Sequence, residues 1–511
     1  MNYFRLFVLM VLLVAGAGAL FAGGQGEDGA AAEPGVPTVT FFTQGVPEGI
    51  LSERMVKEME SDTGVNLEFE EPPQQNFAER LQILLASGDY PDMIFFPNKD
   101  RVLIQAARDG IIIPLNDLLE DAPSVWEHTL EESWVNMQVL NDGDIYAVPR
   151  NTIARADGYA VRRDWAENLG LEWPADNSLT LDEFTEWIRA FTEEDPDGNG
   201  EDDTKGIYLH AANDGRFGVY GGNNTPLYWP FGILGWQEYG DEYMNLMYSR
   251  EMPNMKNALA YMNEIYEAGY VNPDMVVADR SAIYDEFLQG RHGMFNEFGG
   301  NAAGYDDDVQ EFDPNGDVDY LVGIENEEGV VQGGSYGTGV WGFYTISSTS
   351  ENPEAVMRVF EWAFGEGWER IKWGWEGITY EETADGRVKF AEPNVEDEQP
   401  VNWWGSFVRR ADDPEFFVTG RAPTAREEAI ENIDAALDAF VVSLDLGYVP
   451  EAALEADFIE ADDALYETIG RIVIGELPVE AYDDALDTWY DNGGAEYVAE
   501  MQQYIASVWE D

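Results

Sequence analysis

The 511-residue chain sets 100 acidic against 28 basic side chains, a formal charge of -72 spread along its whole length. Repulsion by phosphates excludes nucleic acid and anionic membranes as natural partners, and the absence of cysteine excludes disulfides, thiolate zinc sites, cysteine nucleophiles and a lipid-modified N-terminal cysteine. With 45% hydrophobic and 13% aromatic residues the chain is globular, and its length allows about two to four domains.

Residues 1–22 have the order of a secretory signal: Arg5, an apolar run from Leu6 to Val14, then the small residues Ala15 to Ala19. The run is too short for a membrane span, so export is expected, with the mature chain starting near Ala19 to Gly24 and residues 23–37 forming a flexible tether. From Thr38 the pattern alternates. "TVTFFT" (38–43), "VNLEFE" (65–70) and "DMIFF" (92–96) carry strand signals, and helical spacing fills 48–64 and 76–87. Such βαβ steps predict a mostly parallel sheet covered by helices, with ligands beyond the carboxyl ends of the strands, in the loops starting near Gln44 and Asn98.

After about residue 150 the texture turns to longer helices and aromatic loops. Strand-like runs at 293–298 and 340–347 predict returns to the first lobe, and helical periodicity dominates from Pro353 onward. Thr180 and Glu183 form a capping box, and Phe184, Trp187, Ile188 and Phe191 share one apolar helix face that stops at Asp195-Pro196. The loop that follows, "DPDGNGEDDTKG" (195–206), has the spacing of a calcium loop. Asp195, Asp197 and Asn199 occupy positions one, three and five, Gly200 gives the bend, Glu201 offers its backbone carbonyl and Asp203 adds a carboxylate. Position twelve is Gly206, not a bidentate glutamate, and no second helix follows, so the expected role of calcium is structural rather than regulatory.

Two catalytic-looking patterns overlap in "GGSYGTGVWG" (333–342). Gly333, Ser335 and Gly337 fit a nucleophile elbow, but His128, His210 and His292 all lie upstream of it. Gly337, Gly339 and Gly342 fit a dinucleotide fingerprint, yet strand rather than helix follows, so both are chance matches.

The stretch 159–207, with "RRDWAENLGL", "SLTLDEF" and the acidic loop in that order, resembles the extracellular solute-binding proteins of ABC importers, in particular the LplA-like and alginate-oligosaccharide-binding group. "GDYPDMIF" (88–95) and "WEGITYE" (375–381) also resemble landmarks of that family, whereas the lipid-attachment cysteine is missing and Thr204 stands where the family has Glu or Asp. The resemblance implies a two-lobe α/β periplasmic-binding-protein-like fold of type II, with a hinge and an inter-lobe cleft. The expected lobes are 38–149 with 291–346 and 150–290 with 347–511. A non-catalytic receptor is implied, a monomer handing a small-molecule solute to permease subunits at the outer face of the cytoplasmic membrane.

An oligosaccharide is the expected ligand. Exposed indoles offer flat platforms for sugar rings, and Trp229, Trp341 and Trp375 each stand beside Gly or Pro in loop-like contexts, with Gln44, Asn98 and Arg150 as polar partners. Arg150 would pair with the carboxylate of an acidic sugar. A peptide-binding receptor of the same fold is the alternative, followed by a secreted glycosidase built on paired carboxylates.

Overall fold

A computed structural model describes residues 35–509 except 45–48, 73–75, 154–156, 212–215, 218–224, 279–281, 335–338, 385 and 391–406. The expected signal and most of the tether therefore lie outside the described residues, as do Ser335 and Gly337. None of the described helices is long and apolar enough to cross a membrane.

Two sheets organise residues 37–511. The strands are β1 (Thr38–Phe42), β2 (Asn66–Glu70), β3 (Met93–Phe96), β4 (Val148–Asn151), β5 (Gly158–Arg162), β6 (Lys205–Tyr208), β7 (His292–Glu297), β8 (Val318–Leu321) and β9 (Val340–Ile346). The first sheet has the order β2-β1-β3-β9-β4 and the second β8-β5-β7-β6. Strand β1 pairs in parallel with β2 and β3, through Phe41 opposite Phe69 and Met93. Its partner helix, Ile50–Thr63, buries Leu51, Met55 and Met59 and stops where Gly64 turns left-handed at φ 67°. β3 is buried along its whole length, as a strand covered on both faces must be.

Both sheets are mixed rather than mostly parallel. β9 enters the first sheet antiparallel to both β3 and β4 because the chain comes back to it from the other sheet. The strand expected near 293–298 to rejoin the first lobe is β7, and it stands in the second sheet between β5 and β6. After β9 the chain stays with the first core. Helix Pro353–Phe364 sets Phe360 against Tyr344 at 5.3 Å and Phe41 at 6.4 Å, and Trp368, Trp375 and Phe407 join the same apolar cluster. The apolar face of that helix, where Ala355, Val356, Val359, Phe360 and Ala363 are all buried, holds these residues against the first sheet, although the expected boundaries put 347–511 with the other lobe.

The second core gathers β5 to β8 with helices Leu181–Glu193, Asn254–Glu267, Ala456–Val473, Ala481–Trp489 and Ala495–Trp509. Its centre includes Trp489 stacked on Tyr248 at 4.5 Å and 3°. Each large ring of this kind taken from water contributes roughly 2–3 kcal/mol.

Candidate functional site

Strand register gathers part of the expected site at one edge. β1 and β3 are parallel, and β4 runs the same way because both β3 and β4 are antiparallel to β9. The carboxyl ends of β1, β3 and β4 therefore meet the amino end of β9. Gln44 follows β1, Asn98 follows β3, Arg150 stands in the last turn of β4, and Trp341 sits in β9 beside Val340, which pairs with Asn151. The sequence placed Gln44, Asn98 and Arg150 at strand ends or a crossover and Trp341 in a Gly-rich loop; the fold puts all four at neighbouring strand ends.

Arg150 is half-buried. Its guanidinium lies 5.6 Å from the centre of the Phe95 ring, and its buried Nε meets no acceptor among the described residues. Gly342 makes this corner possible, because a Cβ there would come within 2.3 Å of the Phe95 ring. The neighbouring Tyr344 hydroxyl donates to the Phe407 carbonyl at 2.6 Å. Burial pushes its pKa up to about 12, and Arg150 and Arg409 both pull against that rise.

Trp341 is 46% exposed, with the Arg409 guanidinium 4.7 Å from the ring centre. An indole held by a cation and otherwise open to solvent is the platform a sugar ring requires.

Trp375 and Trp229 are not platforms. Trp375 is 3% exposed, donates its indole N–H to Glu58 at 2.8 Å, and carries Arg54 at 4.4 Å and Arg370 at 5.3 Å from its ring. The glycine before it serves a tight turn rather than uncovering the ring: at Gly374, φ 77°, a Cβ would sit 2.4 Å from the Thr379 hydroxyl, which accepts from the Trp375 N–H. A surface recess of about 420 Å³ beside it, lined by Glu53, Arg54, Lys57 and Glu58, lies along helix Ile50–Thr63. Trp229 is also 3% exposed and packs in an apolar cluster with Tyr208 and Leu234.

A second recess, about 260 Å³, adjoins the same sheet edge and is lined by Asn98, Lys99, Asn136, Phe343 and Tyr448 among others. Burial lowers the Lys99 ammonium to a pKa of about 8 against the pull of Asp445, whose own carboxyl is raised by burial. The 443–449 segment touches the first core closely, since a Cβ on Gly447 would come within 2.7 Å of the Asn136 amide. Lys99, Asn136, Arg409 and Tyr448 escaped the sequence reading. Only the adjacency of Lys99 to Asn98 hinted at any of them.

The acidic loop is tied down as its helix predicts. The capping box is formed, with Thr180 and Glu183 bonded reciprocally, and the helix ends at Glu193. Asp195 takes a left-handed φ of 51° and accepts the Gly200 N–H at 3.1 Å. The Asn199 amide nitrogen bridges Asp197 at 2.7 Å and Asp203 at 3.3 Å, while its oxygen accepts from the Glu201 N–H at 2.6 Å. Burial raises the Asp197 carboxyl, and Asp203 and Asp195 add to the rise against a backbone N–H from Asn199. No three acidic or histidine side chains among the described residues converge into a ready metal cluster. Thr204 faces inward, buried, and donates to the Phe191 carbonyl at 2.7 Å, so it staples the loop to its helix instead of pointing at the loop centre.

Known proteins share this architecture. The model of the bacterial extracellular solute-binding protein family matches residues 49–370. The polygalacturonan/rhamnogalacturonan-binding protein YtcQ of Bacillus subtilis is 25% identical, over 97% of this chain and 98% of its own. The fructooligosaccharide ABC transporter substrate-binding protein FusA of Streptococcus pneumoniae is 24% identical over 49% of this chain and 48% of its own. Among solved structures, the alginate-binding protein AlgQ2 without calcium ion superposes with a TM-score of 0.68 at 17% identity, covering 93% of this chain and 98% of that one. FusA in complex with kestose gives 0.63 at 20% identity, covering 92% and 99%. With more than half of its length matched, the chain belongs to the bacterial extracellular solute-binding protein family.

Proposed function

We propose that this protein captures an oligosaccharide between two lobes and hands it to the permease subunits of an ABC importer. The lobes follow the two cores: about 38–151 with 340–408, and about 158–334 with 419–509. The observation that carries the reading is the open Trp341 ring standing at the same sheet edge as Arg150, Asn98 and Gln44. The relatives named for polygalacturonan, fructooligosaccharide and alginate binding support a carbohydrate over a peptide. All are binding proteins, which favours capture over cleavage, and the signal-like N-terminus favours export. A thermal-shift screen with glycan and peptide libraries tests the ligand class, because a ligand that binds the native state raises its apparent stability. Stabilisation by oligosaccharides is expected, and stabilisation by peptides alone would transfer the same cleft to the alternative ligand.

The acidic loop fits a structural calcium ion held by Asp195, Asp197, Asn199, the Glu201 carbonyl and Asp203. Its carboxylates share one short loop and repel one another at Asp197, a cost that a divalent cation relieves. Thr204 is not a ligand in this reading. Calorimetry should show a lower melting temperature with chelator, a difference absent from Asp197→Ala; identical melting of the wild type with and without chelator would remove the metal.

A further inference from the structure

We propose that Arg150 is the receptor for an anionic group on the captured sugar, so that the ligand is an acidic oligosaccharide; this rests on the oligosaccharide reading above. The reason is electrostatic. In a chain with 100 acidic and 28 basic residues, a cation withdrawn from water is normally matched. Arg162, buried, is held by Asp164 at 2.7 Å and Asp313 at 2.8 Å, and buried Lys372 by Asp413 at 2.9 Å and by Glu415 at 2.6 Å. Arg150 is half-buried, lies against Phe95, buries an unsatisfied Nε, and pairs with no carboxylate among the described residues.

Leaving such a donor unpaired costs free energy that folding alone does not recover. Arg150 also belongs to the proposed site: it stands near the end of β4, beside the half-exposed Trp341 ring. Arg409, on the Trp341 ring, adds a second positive charge, and both arginines act on the Tyr344 hydroxyl, against Glu71 of opposite sign. A neutral sugar would leave the Arg150 charge unmatched and would gain nothing from it. A planar guanidinium binds a carboxylate through two parallel hydrogen bonds, whereas a sulfate ester presents the same charge with tetrahedral oxygens, so the two sources can be told apart.

The test is isothermal titration with oligogalacturonate and oligoalginate, their methyl esters, a neutral oligosaccharide of equal length and a sulfated one. Methyl esterification removes the charge and keeps the ring. The wild type should bind a free uronate about tenfold or more tighter than its ester, a step of the size of one charge-assisted bond. Arg150→Gln, checked by circular dichroism to be folded, should bring acid and ester to within about twofold of each other, and Arg150→Lys should keep part of the preference. Trp341→Ala should weaken acid and ester alike, leaving their ratio unchanged. An acid-to-ester ratio near one in the wild type, a preference for the sulfated sugar over the uronates, or a ratio untouched in Arg150→Gln would each overturn the proposal while leaving oligosaccharide capture standing. Failure of every sugar to bind would instead count against the oligosaccharide reading itself.

Discussion

His292 is a buried imidazole with three aromatic neighbours, Tyr208 at 5.1 Å, Phe287 at 5.6 Å and Phe295 at 5.9 Å, and with neither ring nitrogen bonded among the described residues. Burial lowers its pKa from 6.5 to about 3, so the folded state holds it neutral. Between those values the unfolded chain binds the extra proton, and stability therefore falls as the pH drops below 6.5 toward 3. By about pH 4.5 this one residue should have cost roughly 2–3 kcal/mol. His292→Phe, which keeps a ring in the same aromatic nest, should lose that much less stability than the wild type over the same interval in urea titrations. Parallel acid limbs for the two proteins would show that the imidazole is not held neutral. Trp375 gives a second prediction at this scale. Because it is core rather than platform, Trp375→Leu should lower stability by a few kcal/mol and leave sugar affinity within about twofold once the protein is folded, whereas Trp341→Ala should weaken binding several-fold at nearly unchanged stability.

Helix Leu181–Glu193 shows how far local signals reach. Its capping box, apolar face and stop are all legible before any tertiary contact is known, since each depends on residues within one or two turns. Thr180→Ala should cost about 1 kcal/mol, read as a lower urea midpoint at unchanged slope, and a wild-type midpoint would mean the cap is redundant with Thr204 and Phe191 packing. The acidic loop was readable for the same reason. What was hidden depends on partners far along the chain. Glycines flanking Trp375 suggested an uncovered ring, yet Gly374 serves a turn closed by Thr379, and Glu58 and Arg54, which cover the ring, come from a helix on the far side of the sequence, with Glu58 317 residues away. Strand signals at 293–298 and 340–347 were sound as strands, but a strand's sheet is decided by which edge its side chains match, and β7 and β9 went to different ones. Arg409 and Lys99 carry no periodicity at all and become visible only when β9 and the 443–449 segment fold over the strand ends.

Among the described residues the two largest apolar clusters each hold one of the two main sheets, and the chain passes between them after β4, before β9 and after Val408. In the proposed two-lobe reading these crossings serve as the hinge for closure around a ligand, the motion a capture protein needs. Gln44, Asn98, Arg150 and Trp341 stand at strand ends of the first sheet, so in that reading closure of the other lobe would add contacts to a ligand bound there. Closure should lower the radius of gyration in small-angle scattering on adding a bound oligosaccharide. Ligand class is read most directly by isothermal titration of the purified protein against matched panels of oligosaccharides and short peptides. Saturable one-to-one binding of an oligosaccharide is expected, weakened several-fold in Trp341→Ala; binding of peptides with no sugar response, or sugar binding indifferent to Trp341, would rule out oligosaccharide capture on the Trp341 ring.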